Sequence, residues 1–152
     1  MIQVCPPDKH GFVSLGTSVD ATLAAVECAD YVIAVVNKYV PRAFGQAMIH
    51  SSKIDFFVQD DTPLIEAKFS EPNEVETAIG KHCAALIEDG ATLQMGIGAI
   101  PNAVLSQLGG HKNLGIHTEM FADGVLPLAE KGVINGEAKK TDPGKMVSTF
   151  LM

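Results

Sequence analysis

One short segment of the sequence has the composition of a ligand-binding turn, Gln94-Met95-Gly96-Ile97-Gly98-Ala99-Ile100-Pro101. Its two glycines let a ligand approach the backbone closely, and Pro101 suits a first helical turn, where its missing N–H would have no partner. The N–H groups that open such a helix favour negative charge. The segment therefore predicts a turn that holds an anion between a strand and a helix, formed by Gly96, Ile97, Gly98, Ala99 and Ile100.

A carboxylate follows on the next predicted strand. Residues 117–124 form a second strand-to-helix turn, and Glu119 lies within it. In a parallel α/β sheet the turns at the carboxyl ends of neighbouring strands gather at one edge, where ligands bind. We therefore expect Glu119 and the glycine turn to share one crevice.

Three interpretations of that crevice are open. Gly96-x-Gly98 could begin a dinucleotide-binding motif in which Glu119 binds a ribose hydroxyl, although Pro101 stands where that motif has its third glycine. The glycines could instead form only a tight turn, with Glu119 a solvated acid. In the third interpretation Glu119 is a nucleophile, since a carboxylate is ionised at pH 7 and attacks an activated acyl carbon without a general base. Backbone N–H groups of Ile97 and Gly98 would then stabilise the oxyanion, each by roughly 3–4 kcal/mol.

Strands and helices alternate around these turns. Such alternation predicts an α/β fold with mostly parallel sheets. Residues 63–73 mix acids and prolines without periodicity, as linkers do. The predicted strands cover residues 2–5, 31–36, 54–58, 92–95, 114–117 and 146–152. The predicted helices cover 21–28, with Ser18 or Asp20 as cap, 74–89, with its apolar stripe packed on a sheet, 101–108 and 125–131.

The composition excludes several functions. Eleven Lys and Arg against 18 Asp and Glu give a net charge of −7, which disfavours nucleic-acid and anionic-membrane binding. No apolar run approaches the ~20 residues of a membrane span, and the first residues lack a secretion signal, so we expect a cytoplasmic protein. Cys5, Cys28 and Cys83 are far apart, which predicts buried free thiols and no metal site.

Two longer segments carry a family resemblance: Gly96-Ile97-Gly98-Ala99-Ile100-Pro101-Asn102-Ala103-Val104-Leu105, and Leu114-Gly115-Ile116-His117-Thr118-Glu119-Met120-Phe121-Ala122-Asp123-Gly124-Val125. Both resemble the acetyl-CoA hydrolase/transferase family, in its 4-hydroxybutyrate coenzyme A transferase branch. Shorter matches in the same order extend the resemblance over essentially the whole chain, at Pro6-Pro7-Asp8, Ser14-Leu15-Gly16, Pro41-Arg42, Ile54-Asp55, Gly132-Val133-Ile134 and Pro143-Gly144-Lys145.

The resemblance implies a fold and a domain organisation. The expected architecture is open, mostly parallel α/β sheets of the coenzyme A transferase type, in parts of two tandem domains. Residues 1–62 would be the C-terminal part of the first domain, 63–73 the linker, and 74–152 the N-terminal part of the second domain, which carries the nucleophile. Both ends of the chain look like interrupted strands, so we expect a fragment of a longer protein.

The resemblance also implies an activity. By position Glu119 matches the family's nucleophile, and Gly96 to Ile100 match its CoA-binding turn. The expected enzyme moves CoA between a short-chain acyl-CoA, of the 4-hydroxybutyryl, butyryl or acetyl type, and a carboxylate acceptor, through a glutamyl-CoA thioester. The resemblance implies no metal and no organic cofactor, since coenzyme A is a substrate. A later glycine-rich segment of the family lies beyond Met152, so we expect the chain alone to be inactive and to need a homo-oligomer or a companion chain.

Two alternatives to the transferase stay open. A hydrolase of the same family would resolve the intermediate with water, and a dinucleotide-binding module would use the same turn for a cofactor. Among the other polar residues, His117 is either hydrogen-bonded near the sheet or in contact with substrate. His10 lies in a turn that the resemblance places near the part of the site that binds the acyl group. Asn37 and Arg42 either bind the acceptor or stabilise a loop.

Overall fold

The computed structural model describes residues 1–67 and 70–151, which form two compact units, residues 1–66 and 67–151. The predicted α/β class is confirmed, with mostly parallel sheets in both units. The described residues of the predicted linker 63–73 carry no helix or strand, and Lys68 and Phe69 lie outside the described residues. The assignment of the units to a first and a second transferase domain stays a prediction.

The first unit contains a three-stranded parallel sheet, an antiparallel pair and one helix. The parallel sheet has the order β1-β3-β5, and β2 pairs with β4. The core of this unit is built from alternate strand residues such as Val4, Ala34 and Val36. The elements are β1 (Ile2–Val4), β2 (Phe12–Ser14), α1 (Thr22–Cys28), β3 (Ile33–Val36), β4 (Met48–His50) and β5 (Phe56–Gln59).

Two predictions for this unit are corrected. Neither predicted cap holds the first turn of α1, because the residue before the helix is Ala21 and Ser18 donates its hydroxyl to the Asp20 carboxylate at 3.0 Å. The strand predicted at 54–58 starts at Phe56, because the Asp55 carboxylate accepts the Val32 N–H at 2.7 Å before the ladder begins. The cysteine prediction is also wrong in part, since Cys28 and Cys83 are exposed.

The second unit contains a parallel three-stranded sheet with the order β6-β7-β8. Leu93 pairs with Ile116, and His117 pairs with Val147. The buried core joins Leu105, Leu114, Ile116, Val125 and Leu128. The elements are α2 (Glu74–Ala84), β6 (Thr92–Leu93), α3 (Ala99–Ser106), β7 (Gly115–Phe121), α4 (Val125–Glu130) and β8 (Val147–Leu151); Met152 lies outside the described residues.

The helix predicted at 74–89 ends at Ala84 instead. Asn73 and Glu76 form a capping box at its start, and the predicted apolar stripe is exposed: Val75 is 69% exposed and Leu86 85%. The buried positions are Gly80 and Ala84, since α2 packs against α3 with Gly80 beside Ala103. The prediction of an apolar stripe packed on the sheet is therefore wrong within α2, because a close contact at a glycine sets the buried face, whereas Ile87, beyond the end of the helix, does pack against the core.

Strand β7 is longer than the predicted 114–117 and includes Glu119. The extension follows from pairing with β8, which begins about 30 residues later in the sequence and holds residues 117–121 in the ladder. Glu119 therefore lies inside a strand, and not in the turn where the sequence pattern placed it. Within the described residues, no helix is long and apolar enough to cross a membrane.

Candidate active site

The glycine turn connects β6 to α3. Gly98 precedes the helix with φ +107° and ψ −172°, a region open essentially to glycine alone. The Asn102 N–H donates to the Gly98 carbonyl at 3.2 Å, which closes the first helical turn. No side chain caps this end of α3, so the turn offers backbone N–H groups to a ligand.

Thr118 fastens this turn to the neighbouring strand. Its hydroxyl accepts the Met95 N–H at 3.0 Å and lies 2.9 Å from the Met95 carbonyl, to which it donates. The Met120 carbonyl, at 3.0 Å, is the alternative acceptor. Thr118 precedes Glu119, and Met95 precedes Gly96. The hydrogen bonds between Thr118 and Met95 therefore hold the Glu119 strand next to the glycine turn. The sequence analysis missed Thr118, although a hydroxyl residue between buried positions of a strand signals such a bond.

Glu119 and His117 are exposed on one face of β7, while Ile116 and Thr118 are buried on the other. The Glu119 backbone carbonyl accepts the Thr149 hydroxyl at 3.3 Å. Among the described residues, no hydrogen bond or ion pair engages the Glu119 carboxylate. The carboxylate is therefore available to a ligand, and it is carried by a part of β7 that is paired with β8.

Lys139 is buried on the same side of the sheet. Its ammonium donates to the Ile116 carbonyl at 2.9 Å and to the Lys145 carbonyl at 2.6 Å, and the residue is 5% exposed. The side chain passes over Gly115, where an added Cβ would overlap Lys139 Cγ. These two hydrogen bonds connect β7 to the residues that precede β8.

A cavity of about 430 Å³ adjoins His117. The residues that line it come from the start of β6, from β7 and from the loop before β8: Gly90, Thr92, His117, Ala138, Lys139, Lys140 and Thr141. None of them is acidic.

In the first unit the structure supports loop stabilisation by Arg42 and Asn37. Arg42 donates to the Pro6 carbonyl at 2.6 Å and to the Phe12 carbonyl at 3.2 Å, and lies 3.7 Å from the Asp8 carboxylate. Asn37 is 2% exposed and donates to the Thr62 carbonyl at 2.7 Å. Their polar groups are therefore engaged by the protein.

Asp8 belongs to the same loop. The Phe12 N–H that its carboxylate accepts lowers the pKa of Asp8 below the ordinary value of 3.8, and the His10 N–H and Arg42 act in the same direction. The His10 backbone is thus part of the turn, while the residue itself is exposed. Across residues 1–67 and 70–151, no group of three or more His, Cys, Asp or Glu side chains is arranged to hold a metal ion.

Comparison with known proteins shows that the chain is similar to coenzyme A transferases. The family model "Acetyl-CoA hydrolase/transferase N-terminal domain" matches residues 1–66. Over the whole chain, the sequence is 55% identical to a 4-hydroxybutyrate coenzyme A transferase of Clostridium kluyveri, and covers 35% of it. It is also 52% identical to a succinyl-CoA:acetate/propanoyl-CoA:succinate CoA transferase of Fasciola hepatica, again over the whole chain, and covers 32% of that protein.

A solved structure gives the same match. The chain superimposes on a 4-hydroxybutyrate CoA-transferase of Porphyromonas gingivalis with a TM-score of 0.93 and 48% identity, over 99% of this chain and 38% of the other. The chain thus spans about a third of the length of the curated relatives. These matches confirm the resemblance seen in the motifs: the chain is similar over its whole length to coenzyme A transferases, and residues 1–66 match the N-terminal domain of the acetyl-CoA hydrolase/transferase family.

Proposed function

We propose that the protein carrying this chain is a coenzyme A transferase that moves CoA between a short-chain acyl-CoA and a carboxylate acceptor. One observation carries the proposal: Thr118 links the strand that carries the exposed Glu119 to a glycine turn whose N–H groups no side chain caps. The relatives are named for 4-hydroxybutyrate, for succinyl-CoA with acetate, and for propanoyl-CoA with succinate. The acyl groups proposed for this protein are of that short-chain kind.

In the proposed mechanism, Glu119 attacks the carbonyl carbon of the acyl-CoA thioester. The carbonyl oxygen becomes an oxyanion, and N–H groups of the turn, at Ile97 and Gly98, donate to it. Collapse breaks the C–S bond and gives an acyl-glutamyl anhydride and CoA thiolate. The thiolate then attacks the glutamyl carbonyl, the acyl group leaves as a carboxylate, and a glutamyl-CoA thioester remains. An acceptor carboxylate reverses these steps, so no net oxidation occurs and coenzyme A is the only carrier.

The position of Glu119 within a strand supports this role. A nucleophile in a loop must be ordered before it reacts, whereas β8 pairs with the residues of β7 on either side of Glu119, and β6 pairs with the start of β7. Correct placement of reacting groups contributes several kcal/mol to a barrier, and about 1 Å of misplacement can cost on the order of 10²-fold in rate. Gly96, Ile97, Gly98, Ala99 and Ile100 together form the proposed CoA-binding turn.

A hydrolase of the same family is the second candidate. The exposure of Glu119 supports it, since water that reaches the carboxylate could also cleave the glutamyl-CoA thioester. The two activities separate on one measurement. A transferase consumes acyl-CoA in proportion to added carboxylate acceptor, whereas a hydrolase releases free CoA without one.

The proposed organisation follows the sequence expectation. Residues 1–62 belong to the first transferase domain, 63–73 to the linker, and 74–152 to the second domain. Homo-oligomer contacts or a companion chain supply what lies outside these residues. The proposed compartment is the cytoplasm.

The decisive experiment traps the intermediate at Glu119. The gene is expressed at its native length and the protein is incubated with butyryl-CoA without an acceptor. A glutamyl-CoA thioester should form, which borohydride reduces and hydroxylamine cleaves at this residue, as peptide mass mapping would show. Glu119→Gln keeps the size but lacks the ionised nucleophile, so the adduct should disappear while acyl-CoA binding stays within about tenfold, or roughly 1.4 kcal/mol.

The matched control is Glu88→Gln, which neutralises another exposed glutamate of the same unit. It should form the adduct at the wild-type rate. Full transfer activity in Glu119→Gln, or an adduct mapped to another carboxylate, would remove Glu119 from the mechanism. Tight binding of NADH with no binding of CoA would instead support the dinucleotide alternative.

A further inference from the structure

The ladder between β7 and β8 skips one position, and that position is the proposed nucleophile. The ladder pairs keep one register along both strands: His117 with Val147, Thr118 with Ser148, Met120 with Phe150, and Phe121 with Leu151. Glu119 and Thr149 lie opposite each other in this register but do not form a ladder pair. On the other side of β7, the pairs with β6 end at Ile116. Ladder pairing alone therefore does not fix the main chain at Glu119.

A side-chain hydroxyl bridges the skipped position. The Thr149 hydroxyl donates to the Glu119 main-chain carbonyl, with 3.3 Å between the two oxygens. A carbonyl group within a strand needs a donor, which the neighbouring strand ordinarily supplies from its main chain. At Glu119 the side chain of Thr149 takes that place. Valine, which has the same shape as threonine but no hydroxyl group, could not do so.

A second hydroxyl holds the main chain just before Glu119. Thr118 exchanges hydrogen bonds with the main chain of Met95 on the buried face of β7, opposite to the face that exposes Glu119. The Glu119 carbonyl, held by Thr149, follows the Glu119 Cα directly. The backbone is thus held by one hydroxyl before this Cα and by another after it. Both bonds restrict the point from which the carboxylate side chain extends.

We propose that Thr149 is a positioning residue for acyl transfer, whose hydroxyl holds the main chain at Glu119 so that the carboxylate meets the thioester carbon in the reactive orientation. The inference rests on the proposed function, which takes Glu119 as the nucleophile. About 1 Å of misplacement can cost on the order of 10²-fold in rate, so loss of this bond should slow the attack. Thr149 acts through Glu119 and not on the ligand, so the affinity for acyl-CoA should not change.

The test separates the hydroxyl group of Thr149 from its methyl group, in the protein expressed at its native length. In Thr149→Val, the rate at which saturating butyryl-CoA labels Glu119 should fall at least tenfold, while the half-saturating concentration stays within twofold and the urea midpoint is unchanged. In Thr149→Ser, the labelling rate should stay within about twofold of the wild type although the urea midpoint falls. The rate should therefore follow the hydroxyl, and the stability should follow the methyl.

A neighbouring residue of β8 provides the matched control. The Ser148 hydroxyl donates within its own strand, to the Phe150 carbonyl at 3.4 Å. Ser148→Ala should therefore label Glu119 at the wild-type rate. Thr149→Ala and Thr149→Ser differ by the hydroxyl group alone, so the comparison holds even if the valine variant does not fold, and the alanine variant should be the slower of the two.

Failure of this inference is distinct from failure of the proposed function. If the wild type is labelled at Glu119 and Thr149→Val is labelled as fast, the positioning role is overturned and the transferase stands. Slow labelling of both Thr149→Val and Thr149→Ser would also overturn it, since the packing of residue 149 and not its hydroxyl would then matter. If no acyl-CoA labels the wild type, the proposed function fails, and the inference fails with it because there is no nucleophile to position.

Discussion

Gly98 combines an unusual backbone conformation with free space around it. At φ +107° a side chain is strained, yet a Cβ added at Gly98 would meet no atom within 4 Å. A substitution there would change the backbone preference and almost nothing else. This makes Gly98 a selective probe of whether the shape of the turn, and not its packing, serves catalysis.

We predict that Gly98→Ala lowers kcat/KM for acyl-CoA by about 10- to 100-fold. The sparsely populated conformation costs a non-glycine residue of order 1–3 kcal/mol, and the chain relieves that strain by moving the N–H groups of the turn. Gly109→Ala is the control, since it also adds a methyl in open space but without a positive φ. Steady-state kinetics on both variants gives the answer, and equal activity would show that the turn conformation is not required.

The sequence indicated the candidate site residues more clearly than it indicated which contacts hold them in place. The glycine turn and Glu119 are legible because glycine, proline and an acid stand at fixed offsets from two predicted strands. The role of Thr118 could not be predicted from the sequence, because the hydrogen bond between its hydroxyl group and Met95 joins residues 23 positions apart. The sequence pattern did not reveal Lys139 either, because one of its acceptors, the Ile116 carbonyl, lies 23 positions away.

At the scale of elements, α2 and α3 meet at a glycine. A Cβ added at Gly80 would lie 2.7–2.8 Å from the backbone carbon, the carbonyl oxygen and the Cβ of Ala103. Backbone atoms cannot rotate away as a flexible side chain can. The contact therefore fixes the position of α3, which begins at the glycine turn.

We predict that Gly80→Ala destabilises the protein, although alanine is the better helix former. The gain in helix propensity is about 1 kcal/mol, while overpacking of this kind costs typically 1–3 kcal/mol and here involves backbone. Acyl transfer should also weaken, because α3 can relieve the contact only by moving. Urea unfolding and kinetics would test this, and a variant as stable and active as the wild type would contradict the contact.

Element boundaries were predictable only where local signals set them. Asn73 and Glu76 mark the start of α2 in the sequence, and the prediction of a helix starting at 74 is confirmed. Its buried face depends on Ala103 of another helix, and the length of β7 depends on pairing with β8. Neither partner can be identified from the pattern of a single segment.

At the scale of the whole molecule, both units expose apolar side chains. In the first unit Phe56 is 58% exposed, Phe57 48% and Val58 49%, all on β5. In the second unit Val75 and Leu86 are exposed on and just after α2. Neighbouring exposed apolar residues on a strand with one paired neighbour favour association.

We predict that the 152-residue chain, expressed by itself, self-associates at concentrations where the native-length protein is monodisperse. The physical reason is the apolar surface of β5, so Phe56→Lys should lower the associated fraction. Light scattering coupled to size-exclusion chromatography measures it. A monomer at about 100 μM that melts cooperatively would show that this surface does not drive association.

The passage of Lys139 over Gly115 has an evolutionary consequence. The two residues are 24 positions apart, yet no side chain can exist at 115 while the lysine occupies its channel, since even a Cβ would overlap it. A mutation at 115 and one at 139 should therefore be tolerated together and rejected singly. Relatives with a larger residue in place of Gly115 should lack the lysine and should satisfy the carbonyl group of residue 116 with another donor. Residues 115 and 139 should therefore change together among relatives and not independently.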